Sequence, residues 1–247
     1  MIEFEHTEVV GWEAAIRGMR NPMNSWERSD SQLCKSMDGF EDCRVGVHGS
    51  CPRGDDDYFK EDIFCVGKND FELMQRLARA GTDHRKFMRM IVVYVDVTAP
   101  LYWWKEFDTY KVGTVANSES TMHTIMKKPF VRDMFSFDKV GNVGHWSDVC
   151  DTIINELNEL RELYLMAVRD KESGSARAYW KILIELLPNS FNQKRTVHLN
   201  YEVLAKIWKE RKNHKLSEWS GMLGFCQNFI KSLPYSELIT GEEKLND

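Results

Sequence analysis

The stretch "RTVHLNYEVLAKIWKERKNHKLSEW", Arg195 to Trp219, sets the reading of this chain. At roughly 100° per residue, Asn200, Val203, Leu204, Ile207 and Arg211 fall in one narrow helical sector. His214 joins them if the helix continues that far. Glu202, Lys206 and Lys209 point the other way, as the solvated face of an amphipathic helix should. An arginine on an inward stripe needs a partner, because an unpaired buried charge is very costly. Asn200 and Arg211 lie three turns apart, roughly 16 Å at 1.5 Å per residue. That span suits an elongated anion such as a nucleotide or dinucleotide. A salt bridge to a buried carboxylate, or an arginine snorkelling from the helix end, accounts for the same pattern without a ligand.

Working outward, Phe191 to Leu199 reads as the strand leading into this helix, and Leu216 to Leu233 as the helix after it. Arg177 to Leu187 is a helix ended by Pro188. Ser147 to Arg169 is a long helix with Val149, Ile153, Leu157, Leu160 and Tyr164 at heptad-like spacing, for packing in a core or between subunits. Residues 129 to 145 look like an exposed loop. Val115 to Met126 holds the polar turn "ANSEST" and then a short helix. Met90 to Val97 is a nearly continuous β-branched run, predicting a strand covered on both faces. Thr98 and Pro100 predict a cap and an early proline for the helix "APLYWWKEFDTYK". Nearer the start, Ile2 to Val9 alternates as an edge or half-buried strand. Trp12 to Arg20 is a helix stopped by Asn21-Pro22. Asn69 to Ala80 is a helix with Phe71, Leu73, Met74 and Leu77 inward, ended by Gly81. Residues 28 to 67, rich in Asp, Gly, Ser and Cys, read as a loop-rich insertion.

The composition bounds the function. The chain has 247 residues, 43% hydrophobic and 12% aromatic, as a packed globular protein should. Its net charge of −5 gives no basic footprint for a nucleic-acid polymer. No apolar run is long enough to span a bilayer, and the first residues lack the pattern of a signal peptide, so a cytoplasmic protein is expected. The six cysteines are then reduced thiols. Cys34, Cys43, Cys51 and Cys65 are widely spaced with no CxxC, which argues against a zinc site, and no metal is expected. There is no Gly-rich phosphate loop and no recognisable Ser/His/Asp or Cys/His arrangement.

Three regions carry polar residues where chemistry is plausible. The first is the face of Asn200, Arg211 and His214. The second is "DHRKF", Asp83 to Phe87, which sets His84 at the mouth of the buried strand. The third is "WWKEFDTYKVGTVANSEST". It predicts Lys105, Glu106 and Lys111 on one helix, then a turn of Asn117, Ser118, Glu119 and Ser120. That turn offers hydroxyls and backbone N–H groups to an anion, or serves as a plain helix cap.

Together these segments resemble the flavin-dependent thymidylate synthases. "MIVVYVDVTAPLYWWKEF" is similar to the strand and helix entering the family signature, and His84 stands where the family has a flavin-contacting histidine. "LLPNSFNQKRTVHLNYEVLAKIWKER" resembles the family's C-terminal block, with Pro188, Asn200 and Arg211 in register and Trp219 matching after one extra residue. "MRNPMNSW" stands at the place of an early ligand-contacting segment. The family signature is RHRxxSxNExSxR. Here Thr109, Tyr110 and Lys111 stand for its Arg-His-Arg. With one residue inserted, Asn117, Ser118, Ser120 and Met122 stand for its Asn, Glu, Ser and final Arg. Lys105-Glu106 replaces an Arg-Gln pair, and Ile184 replaces an arginine before the proline. A lysine is a point charge and does not copy a bidentate guanidinium.

The resemblance implies an α/β (α+β) fold, with a central β-sheet flanked by helices in a single domain over residues 1–247, assembled as a homotetramer with sites between subunits. It implies FAD as cofactor, with NADPH and methylenetetrahydrofolate as co-substrates and dUMP or a related pyrimidine nucleotide as substrate. Arg211 and Ser120 are the catalytic candidates. His84, Lys111, Asn117, Asn200, Lys206 and His214 are the candidates for holding the flavin. Lys105, Glu106, Ser120 and Arg211 are the candidates for the nucleotide. Arg44 and Arg53 are possible replacements for the missing phosphate contacts. Three functions follow as alternatives: a nucleotide-methylating flavoenzyme, a divergent homologue that binds a nucleotide or flavin without synthesis, and a structural oligomer.

Overall fold

A computed structural model describes residues 2–34, 63–137 and 143–242. The insertion expected at 28–67 falls mostly outside them, as do Cys43, Cys51, Arg44 and Arg53. Its described flanks, β2 (Gln32–Cys34) and β3 (Ile63–Cys65), pair antiparallel. The main sheet has four antiparallel strands. They are β1 (Glu3–Val10), β4 (Val92–Pro100), β5 (Val115–Ser118) and β6 (Asn192–Asn200), in the order β1-β4-β6-β5. The mixed helix-and-sheet class expected from the sequence is the one observed.

The chain divides into two compact units, and its long strands run through the division. One unit holds Met1–Glu5, Asp96–Lys111 and Ala116–Val197; the other holds His6–Val95, Val112–Val115 and His198–Asp247.

In the second unit, α1 (Trp12–Arg20) and α2 (Lys68–Arg79) form where predicted. Gly11 precedes α1 at φ 93°, and a Cβ there would come within 2.1 Å of the Met90 carbonyl oxygen, so only glycine fits. Trp12 meets the Tyr201 and Tyr235 rings edge-on, with centroids 5.3 and 5.1 Å away. The Tyr201 hydroxyl donates to the Pro234 carbonyl at 2.5 Å.

In the first unit, α3 (Leu101–Phe107) is followed by a short α4 (Thr121–Thr124) and then by α5 (His145–Arg169), which packs against α6 (Ser173–Leu186). Ile125, Met126, Phe130, Phe135, Ile154, Leu157 and Leu183 form the core between them.

Several expectations are corrected. β4 is not covered on both faces: Val93, Val95, Val97 and Ala99 are buried, while Tyr94 is 41% exposed. Thr98 and Pro100 belong to the strand itself, and Thr98 caps nothing. The polar turn after Val115 is an edge strand, β5, paired with β6. Residues 130–137 are not an exposed loop. Phe130 and Phe135 are buried, and the Asn158 amide fastens the Phe130 backbone with bonds of 2.8 and 3.0 Å. Leu157 and Leu160 face this same core and so are not a face offered to another subunit.

Candidate functional site

The helix after β6 is α7 (Tyr201–Arg211), and its details differ from the predicted stripe. Asn200 is not on a helical face. It is the N-cap, and its side-chain oxygen accepts the Val203 N–H at 3.1 Å. The buried residues are Tyr201, Leu204, Ile207 and Trp208, a sector turned by roughly 50° from the expected one. Glu202 is not on a solvated face. It is 14% exposed and ion-paired with Arg85, at 3.3 Å, and with Arg89. Burial pushes its carboxyl up, but the two guanidiniums hold it below the ordinary range. Lys206 is exposed, as the pattern predicted.

Arg211 closes the helix on the buried stripe and is itself half-buried, with its guanidinium 5.3 Å from the Trp219 ring centroid. Burial pushes the nearby Cys226 thiol up to about 12, against the opposing charge of Arg211. His214 lies beyond the helix. Its Nδ1 accepts the Leu216 N–H at 3.2 Å, and its carbonyl accepts the Ser220 hydroxyl at 2.6 Å, so it shapes the turn leading to α8 (Ser217–Ser220). Asn200 meets a second element as well. At Gly113, φ 80°, a Cβ would lie 3.1 Å from the Asn200 Nδ2, so the glycine turn rests directly on the cap.

His84 is not at a strand mouth. It is exposed and precedes a 3-10 turn, Arg85–Arg89, with β4 starting only at Val92. It lines a groove of about 1300 Å³ whose walls are the segment 18–30 and α2. Arg28, Arg76 and Lys86 line the same groove, with Glu72 among its acids. The segment "MRNPMNSW" is therefore one wall, and His84 borders the same space.

The groove stands on a buried ion pair that sequence reasoning missed. Arg20 Nε donates to Asp70 Oδ1 at 2.6 Å, with side chains 5% and 0% exposed. Asp70 Oδ2 accepts the Ser29 and Ser31 hydroxyls at 2.6 Å each, and the Asp30 and Ser31 N–H groups at 3.2 Å each. The remaining Arg20 nitrogens donate to the carbonyls of Ser25, at 3.2 Å, and Arg28, at 3.1 Å. Burial drives the Asp70 carboxyl up, but the two serine hydroxyls and Arg20 together bring it below the ordinary carboxylate value.

The remaining predicted residues lie in the first unit. Lys105 and Glu106 are on α3, with Lys105 Nζ donating to Asn189 Oδ1 at 2.8 Å. Lys111 is not on that helix, which ends at Phe107; it is exposed in the following turn. Asn117 is exposed on the edge strand β5. Ser120 precedes α4 at the cap position, yet its side chain makes no cap bond and is exposed. Ser120→Ala is therefore expected to leave the melting temperature within about 2 °C of wild type. A larger fall in a thermal scan would show that the hydroxyl is structural after all.

A guanidinium the sequence reading passed over, Arg195, lies 4.2 Å above the Trp104 ring, pairs with Asp108 at 2.8 Å, and donates to Gln193 Oε1 at 3.0 Å. Gln193 in turn donates to the Glu119 carbonyl, at 2.9 Å, and to the Thr121 hydroxyl, at 3.1 Å, so it holds the backbone before Ser120 and the side chain after it. The signal available was a glutamine and an arginine alternating on a strand next to a Trp-Trp helix. Two signature replacements also have a visible setting: Ile184 packs against the first unit's core, and Met122 is 51% exposed.

Among the described residues, no group of three or more His, Cys, Asp or Glu could hold a metal ion. No described helix is long and apolar enough to cross a membrane.

No family model matches the sequence, and no curated protein matches it. Solved structures do. The chain is similar to thymidylate synthase X (ThyX) from Helicobacter pylori, solved with FAD and dUMP, at 14% identity and a TM-score of 0.63 over all of both chains. A second structure of flavin-dependent thymidylate synthase from Helicobacter pylori, complexed with FAD and dUMP, is 15% identical with a TM-score of 0.60 over 99% of both chains. The fold is thus that of the flavin-dependent thymidylate synthases.

Proposed function

We propose that this chain is a flavin-dependent thymidylate synthase-like protein of the cytoplasm that binds FAD and a pyrimidine nucleotide of the dUMP kind. The observation that carries the reading is Arg211, kept at the end of the buried stripe of α7 and held over Trp219, in a fold that follows a dUMP- and FAD-bound enzyme end to end. In this reading Arg211 faces the pyrimidine and stabilises negative charge developing on the ring. Ser120 sits beside the nucleotide, with Lys105 and Glu106 as further contacts. Asn200, His84, Lys111, Asn117, Lys206 and His214 serve the flavin. The groove bordered by His84 has the volume for a dinucleotide, and its lining sets Arg28, Arg76 and Lys86, beside the paired Arg20, among the carboxylates Glu27, Asp30, Glu72 and Asp83; of the residues assigned to the flavin it holds His84. Bound FAD supplies the redox chemistry that turns a methylene from methylenetetrahydrofolate into a methyl group, with NADPH as the reductant. The chain's part is orientation and charge.

A second reading, a homologue that binds nucleotide or flavin without synthesis, is favoured by the signature itself. Ile184 is committed to the core and Met122 carries no charge, so two family arginines have no replacement at their own positions. Mass spectrometry of small molecules released from the purified protein tests both readings. A flavin together with dUMP-dependent methyl transfer supports the first. A bound flavin or nucleotide with no transfer supports the second. Neither ligand, with no binding on titration, removes both. Ser120→Ala is expected to weaken dUMP binding by about tenfold if its hydroxyl contacts the nucleotide.

The homotetramer is part of the proposal. Its support is the apolar surface that α5 and α6 leave uncovered, with Trp146, Met166 and Leu186 each roughly half exposed. Light scattering at micromolar concentration is expected to give four times the chain mass. A monomer would remove the model of sites shared between subunits.

A further inference from the structure

The other side of α2 borders a second, smaller cavity. It measures about 280 Å³ and is bordered by α2, the turn before β4, α7 and α9 (Glu237–Thr240). The groove takes Glu72, Leu73, Arg76 and Leu77 from this helix, whereas the cavity takes Gln75, Ala78 and Arg79, so the helix separates them.

The cavity reverses the charge of the chain. The whole protein carries −5, but four cations, Arg79, Arg85, Lys209 and Lys212, line this space against one carboxylate, Glu237. Arg85 is committed to Glu202. Trp208 provides the second, independent observation. It lines the cavity and is 3% exposed, and its indole Nε1 is enclosed without a hydrogen-bond partner. An indole N–H is only a donor, so the group it lacks is an acceptor. Lys212 Nζ lies over the face of the same ring, 5.6 Å from its centroid, so a positive charge stands near the indole that carries the orphaned donor. Glu237 Oε2 is enclosed on the same lining; with its charge and the Arg85–Glu202 pair set against the four cations, the cavity still carries an excess of two positive charges around an unanswered donor, which suits a compact oxyanion, and the volume is below that of pockets for drug-sized ligands.

We propose that this cavity is a binding site for a phosphate-sized oxyanion, free or as a phosphomonoester, held by Trp208 Nε1 with Lys209 and Lys212. The site is independent of the flavin and nucleotide reading, since none of its three ligand-holding residues belongs to that set.

The test uses inorganic phosphate as the probe on the full chain, with binding followed by calorimetry and by the phosphate-induced shift in melting temperature. Wild type is expected to bind, and Lys209→Gln/Lys212→Gln to bind at least about tenfold more weakly. Lys181→Gln, a charge change on α6, is the control and is expected to bind as wild type. Trp208→Phe keeps an aromatic side chain but removes the unsatisfied donor and part of the indole volume, so it is expected to melt somewhat lower than wild type while staying folded. It is expected to lose about tenfold in phosphate affinity. Glucose 6-phosphate against glucose distinguishes a phosphomonoester site from one that admits only the free ion, and binding of either phosphate supports the proposal. Phosphate binding that is absent in wild type, or equal in all four proteins, overturns it. FAD and dUMP titrations run alongside: if the lysine pair abolishes nucleotide binding, the cavity is part of the nucleotide site and the separate site is lost. A failure of FAD and dUMP to bind any of the proteins leaves the phosphate result standing.

Discussion

Asp70→Asn is expected to lower the free energy of unfolding by about 3–5 kcal/mol, the largest stability loss of any single change considered for this chain. The reason is what the substitution leaves behind. Arg20 is 5% exposed at its side chain and takes its counter-charge from Asp70 at 2.6 Å. With a neutral amide opposite, the guanidinium stays buried without that charge, while the serine hydroxyls and backbone N–H groups that converge on Oδ2 lose an ionised acceptor. A double variant, Arg20→Met with Asp70→Leu, removes both charges and is expected to cost less than the two single changes added together. Urea unfolding of wild type, Arg20→Met, Asp70→Leu and the double variant reads the coupling, with Asp70→Asn measured alongside. A single Asp70→Asn loss below about 1 kcal/mol would mean that the pair is dispensable. The pH dependence has a fixed sign. The Asp70 carboxyl is held below its ordinary value when folded, so its contribution is fully present above the unfolded pKa. It is lost as the pH falls through the lower folded value. The gap between wild type and Asp70→Asn should therefore be widest near neutrality and close in strong acid.

That same pair shows why part of this molecule could not be read from its sequence. Arg20 and Asp70 are fifty residues apart. Locally, one reads as the last basic residue of α1 and the other as an acid in the first turn of α2, both ordinary helix-end placements. Only tertiary structure turns two unremarkable ends into the floor of a groove. The helix ends themselves were legible, because Asn21-Pro22 and Gly81 act through their own backbone preferences. Gly81 indeed sits at φ 106° just past α2. β5 was not legible. All four of its residues are exposed, so no alternation marks it, and its identity as a strand comes from pairing with β6. The β-branched run of β4 announced a strand but not which side of it faces the core, since Val93 and Tyr94 are equally good strand residues. On α7 the periodicity found the helix and the inward Arg211. It misplaced Asn200, because a residue at the angular position of a stripe also fits the N-cap that ends it.

Arg211→Ala is where the proposed function meets its hardest test. A guanidinium kept only for structure should cost several kcal/mol on truncation, because its partner would be left buried and unpaired. Arg211 is half-buried at the helix end and lies over Trp219; on the ligand reading the ligand-free protein should lose only about 1–2 kcal/mol, the scale of a partly solvated cation–π contact with one further polar contact. The larger effect belongs to the liganded protein. At a ligand concentration one hundred times Kd, binding stabilises the native state by about 2.7 kcal/mol. If removing the guanidinium weakens the nucleotide a hundredfold, the same concentration stabilises the variant by only about 0.4 kcal/mol. The informative measurements are melting temperatures of wild type, Arg211→Ala and Arg211→Lys, each with and without FAD plus dUMP. Wild type should gain strongly and alanine hardly at all. Lysine should follow alanine, because a point charge on a flexible stem reproduces neither the planar contact with Trp219 nor a bidentate contact with the ligand. Should Arg211→Ala instead melt far below wild type when empty, with the ligands raising both proteins equally, then Arg211 is structural. In that case the chain keeps the fold of a thymidylate synthase without its pyrimidine site.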